Sequence, residues 1–372
     1  MEKRTEEIKH VPIVIGNYYP FRLVFRDIDK WEPSLEDINN RTYDYVRLNR
    51  ISTFIDVGIT PFSLGIGFDG SLVLPASKEF RSREDALEKF NETLGIFLLG
   101  GVYCESMLPT DISYGTLTFD GYAKIHGGGS GAASKFHHSI RTKLVGTLEV
   151  MNLYTPQTIS IIDLENAYLE GKKIFQRLTN LTPNMLLNGT SHFVRHLWAE
   201  SLIFLWTSIE QVVNVIWKKE IVDINIGDMV EGRSKFLKDF RTWTTSTRIE
   251  VLYQKGLVNI EVYKLLNSAR KSRNDFIHNG GKLNQEKVKP ALDALFKLIS
   301  LFITEYNNST RLDKTLEIIY RNQRGDLYPQ KSVLKMDEVT HWLAIPPIPG
   351  DINWGDKEYE RIEEITLYPL SK

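Results

Sequence analysis

One cysteine, Cys104, is all that 372 residues contain. No intrachain disulfide can form and no cysteine metal cluster is available. A lone cysteine suits a reducing compartment, and the role expected of Cys104 is that of a small buried hydrophobe. An excess of charge is lacking too. Lys and Arg number 46 against 47 Asp and Glu, a formal net charge of −1. The chain as a whole therefore has no electrostatic pull towards nucleic acid, and such a role needs local basic patches. Long hydrophobic runs are also missing. Residues 201–217 come nearest, but Glu210, Gln211 and Asn214 interrupt them and Glu200 precedes them. A buried helix is expected there, not a membrane span. The opening Met1-Glu2-Lys3-Arg4-Thr5-Glu6-Glu7 is charged throughout and does not read as a signal peptide. The expectation is a cytoplasmic protein with no membrane contact. What is present, 42% hydrophobic and 25% charged residues, suffices for two domains with proper cores.

The first part reads as α+β. Residues 11–15 and 21–25 are short and rich in β-branched or aromatic side chains, as strands are. Asp69-Gly70 and Asp120-Gly121 each separate two strand-like runs and predict two hairpins. Between them Ser82, with Asp85 three positions on, predicts a capped helix carrying Leu87, Phe90, Leu94, Phe97 and Leu98 and ended by Gly100-Gly101. Residues 124–135 are rich in glycine but lack the Gly-Lys-Ser/Thr ending of a phosphate-cradling loop, so a flexible loop is expected. Phe136, His137, His138, Arg141 and Lys143 follow. They read either as a solvated strand or as a small RNA-contacting cluster. As metal ligands His137 and His138 are disfavoured, because neighbours on a strand face opposite ways and no carboxylate partner is evident.

From residue 163 the periodicity is helical, broken at Thr182-Pro183-Asn184, and a domain boundary is expected within residues 180–189. One largely apolar helix is then expected over residues 191–219, central to a bundle. Its Glu210 reads either as a partner to a basic side chain or as a group orienting Arg273 or His278. Residues 232–253, basic and aromatic, read as one or two helices forming a solvated face or an RNA groove. Further helices are expected over residues 259–279, 286–306 and 309–320. A Pro-rich, acidic tail follows from residue 326. The domains expected are thus 1–185, an α+β region; 186–325, a helical bundle; and 326–372, an extended tail.

Arg273-Asn274-Asp275-Phe276-Ile277-His278 carries the chemistry. An arginine stays charged and grips phosphate oxygens in a fork, and an imidazole changes charge near neutral pH. Together they can handle a phosphodiester without metal. In a straight helix, however, five residues turn the chain by about 140° and advance it by about 7.5 Å. Either the helix frays at Asn279-Gly280-Gly281, or the pair of one subunit meets that of a second across a two-fold axis.

This segment resembles the HEPN superfamily motif, and its helical context is most similar to the Apea-like HEPN group, over roughly residues 190–325. The resemblance implies a helical bundle acting as a metal-independent endoribonuclease, often a toxin or effector in bacterial antiviral defence. It implies Arg273 for phosphate binding, His278 as the acid/base, Asn274 in support, and Arg270, Lys271 and Lys282 as candidates for RNA contact. Neither metal nor cofactor is implied. A homodimer through the bundle is, with the first 185 residues left to sense a regulatory protein or phage-derived trigger. The other reading is a non-catalytic HEPN module that binds a nucleotide or protein. A variant neutralised by modification of a tyrosine after the histidine finds no such tyrosine in Asn279-Gly280-Gly281.

Overall fold

A computed structural model describes residues 10–26, 30–60, 62–80, 82–225, 230–302 and 309–323. An antiparallel sheet region is followed by many helices. The chain divides into two units, Met1–Arg324 and Gly325–Lys372. The expected tail, 326–372, lies outside the described residues.

The sheet is built from His10–Gly16 (β1), Ile51–Ile55 (β3), Leu64–Gly67 (β4), Leu72–Pro75 (β5), Ile112–Thr118 (β6) and Ala123–Gly127 (β7), with Leu23–Phe25 (β2) outside it. Its order is β3-β4-β5-β1-β6-β7, antiparallel throughout. Both Asp-Gly hairpins are present, joining β4 to β5 and β6 to β7. Strand period two sorts the central strand. Val14 enters the main core, whereas Ile13 and Ile15 pack on the other face with Val73, Leu117 and Ala123.

Short helices Leu35–Asn39 (α1) and Tyr45–Leu48 (α2) precede β3. Arg83–Leu99 (α3) then backs the sheet. Ser82 accepts from the Asp85 amide at its start, and Gly100 caps its end, as expected. Cys104 is buried beside it, and burial first of all pushes its thiol up to about 12. Ala132–Thr142 (α4) and Thr147–Tyr154 (α5) follow β7. Strand Thr158–Ser160 (β8) pairs in parallel with β2 and leads into Ile161–Arg177 (α6).

The helices α3 and α6 approach at backbone distance. A Cβ on Gly171 would lie 1.9 Å from the Ile96 carbonyl oxygen, and one on Gly100 1.8 Å from that of Ala167. Gly171→Ala must push the helices apart, and a loss of about 1–3 kcal/mol is expected in urea unfolding. Gly128→Ala, with open space around it, is the matched control and should be near neutral.

The remaining helices are Pro183–Val194 (α7), Trp198–Trp217 (α8), Asp223–Asn225 (α9) after a π-helical turn at Lys218–Val222, Arg233–Lys238 (α10), Thr245–Gln254 (α11), Ile260–Asn279 (α12), Gln285–Phe302 (α13) and Ser309–Asn322 (α14). Among the described residues no helix is long and apolar enough to cross a membrane. Three expectations need correction. Residues 136–142 are helix, because α4 buries Phe136 and Ile140 one turn apart. The helix expected over 191–219 is two, broken at Arg195-His196-Leu197, where His196 takes a φ of 61°. And the boundary expected within residues 180–189 falls inside one compact unit, Met1–Arg324. Helix α7 begins on Pro183 there, buries Leu186 and Leu187, and belongs to one apolar core running from Val14 to Ile319.

Candidate functional site

Helix α12 is regular from an N-cap at Asn259, whose side chain accepts from the Val262 amide, to Gly280. Val262, Leu266 and Ala269 are buried on one stripe of it. Spacings of four, three and four carry that stripe on to Arg273. Arg273 is accordingly half-buried. Its Nη1 donates to Asn274 Oδ1 at 3.1 Å, while its Nε is enclosed and has no partner. One turn earlier Arg270 also holds an enclosed Nε without a partner.

The C-terminus of α12 does not fray. Gly280 adopts a left-handed φ of 64°, which glycine reaches at no steric cost. Its amide donates to Phe276 O at 3.1 Å, and that of Gly281 to Asp275 O at 3.2 Å. A Cβ on Gly281 would meet Asp275 Oδ2 at 2.0 Å. The backbone requires glycine at 280, whereas at 281 the Asp275 carboxylate could swing aside. His278 therefore stays helical and exposed, about 140° around the axis from Arg273. Of the two ways to unite the pair, fraying is excluded by this geometry. Asn274 holds Arg273 but makes no bond to His278.

Which end of the bundle this is follows from its side-chain ties. Lys287 near the start of α13 lies 3.6 Å from Asp275, Lys289 donates to Tyr320 near the end of α14 at 3.2 Å, and Tyr320 packs edge-on against Phe193 at the end of α7. The ends of α7, α12 and α14 and the start of α13 thus gather together. Arg270, Lys271, Arg273, Lys282 and Lys287 stand there with Asp275 and Glu286, a basic surface that the negative C-terminal end of the α12 dipole favours. Lys271 and Lys282 are exposed, and Ile277 beside them is 44% exposed.

Glu210 belongs elsewhere. Its Oε1 accepts from Trp206 Nε1 at 2.8 Å and from Thr245 Oγ1 at 3.3 Å. Among the described residues it meets no basic side chain and neither motif residue, so both readings of it are corrected there. One turn of α8 places it over Trp206, and the indole takes the carboxylate.

The cluster at 136–143 is corrected for three of its members, while His138 is exposed and Lys143 half-exposed. Phe136, His137 and Arg141 are buried, and no RNA reaches them. Asp69, wholly buried at the β4–β5 turn, accepts from Arg141 Nε at 2.7 Å and Nη2 at 2.8 Å and bonds His137 Nδ1 at 2.7 Å. Burial alone would raise the Asp69 carboxyl, but Arg141 and then His137 hold it far below the usual carboxylate range. The carboxylate missing from the sequence argument is 68 residues from His137.

Two histidines were overlooked at the α7–α8 junction. His196 stacks on Trp198 at 4.9 Å and His192 on Phe204 at 5.5 Å. Burial, then Arg195, lowers the His192 pKa. Their His-x3-His spacing was the available signal. Among the described residues no group of His, Cys, Asp and Glu could hold a metal ion. Comparison of the chain with family models, curated proteins and solved structures finds no match to any of the three.

Proposed function

We propose that the protein is a metal-independent endoribonuclease of HEPN type, working as a homodimer through the bundle end that carries Arg273 and His278, and serving as a toxin or effector in antiviral defence. The observation that carries this reading is the placement of Arg273. Its guanidinium is fixed by Asn274 and half-withdrawn from water on the core stripe of α12, among other cations. A phosphodiester would accept its remaining donors. His278, exposed on another face, reaches such a phosphate when a second subunit apposes its own α12, and exposed Ile277 offers apolar surface for that contact.

The reaction follows from these groups. Arg273 holds the non-bridging oxygens. A neutral His278 takes the proton of the ribose 2′-hydroxyl, whose oxygen bonds to phosphorus as the bond to the 5′-oxygen breaks. The imidazolium so formed gives its proton to that leaving oxygen. The products are a 2′,3′-cyclic phosphate and a 5′-hydroxyl, and DNA cannot react because it lacks the attacking hydroxyl.

The test is incubation of the purified protein with tRNA and total RNA in EDTA. Cyclic-phosphate ends that Arg273→Ala and His278→Ala both abolish are expected. Absence of cleavage under all conditions would leave a non-catalytic nucleotide- or protein-binding module, a reading favoured by the separation of the two side chains within one chain.

A further inference from the structure

An open groove of about 760 Å³ lies along α10, lined by Asn225, Gly232, Lys235, Lys238 and Asp239 among others. Lys235 and Lys238 are exposed and make no ion pair among the described residues. The acid beside them is already engaged, since Asp239 accepts from the Thr242 hydroxyl at 2.7 Å. Arg233, Lys235 and Lys238 outnumber the one carboxylate of the lining, Asp239, and an excess of positive charge in a concave surface attracts a polyanion.

The rings beside the groove say which polyanion. Phe240 is 66% exposed and Phe236 52% exposed, unusual for phenylalanine. Neither ring is loose. The Arg248 guanidinium sits 4.4 Å from the centre of the Phe240 ring, and Phe236 stands edge-on to Trp243 at 5.6 Å. Behind them Trp217 packs on Trp243 at 5.0 Å and donates its Nε1 to Leu237 O. Arg248 itself is 3% exposed, bonds Asn214 Oδ1 at 2.6 Å, and among the described residues has an enclosed Nε without a partner and meets no carboxylate. A buried guanidinium set among ring faces and an amide leaves positive potential directly behind Phe240. The result is a ring with one face held and the other open, near the ammonium groups of Lys235 and Lys238, which are unpaired among the described residues.

We infer that this groove binds single-stranded RNA, with an unpaired base stacked on the outer face of Phe240 and Lys235 and Lys238 on the phosphates. Stacking on a ring face requires an unpaired base, which a duplex withholds and an acidic peptide lacks. The choice of RNA over DNA rests on the nuclease reading, but the binding is measured without cleavage.

The experiment uses the full chain and a fluorescein-labelled 2′-O-methyl oligouridine, which has no free 2′-hydroxyl to react, titrated by anisotropy at several salt concentrations. Binding by the native protein is expected. Phe240→Ala should weaken it about ten-fold, whereas Phe240→Trp should keep it. Lys235→Glu with Lys238→Glu should also weaken it and reduce the slope of log K against log salt by about 1.4. Thermal unfolding of each variant separates lost binding from lost fold. No binding by the native protein, equal binding by folded Phe240→Ala, or polyglutamate competing as well as the oligonucleotide overturns the inference. Binding of this probe, lost in folded Phe240→Ala, by a native protein that cuts no RNA would leave the groove standing and overturn the nuclease, so the two proposals are distinguishable.

Discussion

Cleavage of RNA in EDTA is expected to fall by about 10²–10⁴-fold in Arg273→Ala and in His278→Ala, the range that a positioned acid/base group contributes. Neither change should unfold the protein. His278 is exposed, and the one bond Arg273 makes among the described residues is to its neighbour Asn274. A stronger outcome follows from mixing the two inactive proteins. Each homodimer lacks one kind of group entirely, whereas a mixed dimer has one Arg273 and one His278 across the dyad. If the working site is shared between subunits, activity should return on mixing, towards the fraction of mixed dimers, about half after free exchange. Unimpaired cleavage by either single variant would sink the assignment of the pair. Loss that mixing cannot repair would sink the shared site and leave the arginine and histidine requirement standing.

Replacing Asp69 should be the most damaging single change to the fold. Asp69→Asn keeps the shape but leaves the Arg141 guanidinium, 3% exposed, without its countercharge. Breaking a buried pair by removing one partner costs about 3–5 kcal/mol, a large share of the stability of an ordinary domain. Urea unfolding measures it directly. Asp69→Asn with Arg141→Met removes both charges and should be less destabilised than the single changes sum to, because the two side chains share their bonds. The pH dependence has a definite sign. The folded Asp69 carboxyl is held below its ordinary range, so native protein binds fewer protons there than unfolded protein. Its contribution is complete above the ordinary carboxylate pKa and is lost as pH falls through and below it. Thermal unfolding from pH 7 to pH 3 should show that loss in the native protein, and a smaller one in Asp69→Asn. A double variant no better than the sum would show that the cluster does not act as a unit.

Local chemistry made much of this fold readable from the sequence. Asp69-Gly70 and Asp120-Gly121 name their own hairpins, Ser82 with Asp85 starts α3, and Gly280 ends α12. Each signal is a backbone preference acting within four residues. What escaped depends on partners far along the chain. His137 and Arg141 look like a solvated cluster until Asp69 is brought to them. The break at Arg195-His196-Leu197 has neither glycine nor proline to announce it; Arg195 is drawn aside there to Glu105 at 2.9 Å and Ser106 O at 3.0 Å. Glu210 was placed by its apolar neighbours, which say that a helix face is buried but not what the carboxylate will find. At the candidate site the spacing from Arg273 to His278 and the glycine close of α12 were legible, and the enclosed Nε atoms of Arg270 and Arg273 were not. Those depend on how α12 lies in the bundle.

The unbroken core described above also bears on how such a chain can change over evolutionary time. Helix α7 presses one flank on α3, where a Cβ at Gly95 would meet the Pro183 carbonyl oxygen at 2.6 Å, and another on α8, where Gly189 lies under Leu205. The sheet region is consequently no detachable cassette. A chimera carrying a foreign recognition module in its place would strip apolar cover from α7 and uncouple Arg195 from Glu105. New specificities would have to arise by resurfacing the exposed faces already present, not by exchanging one half for another.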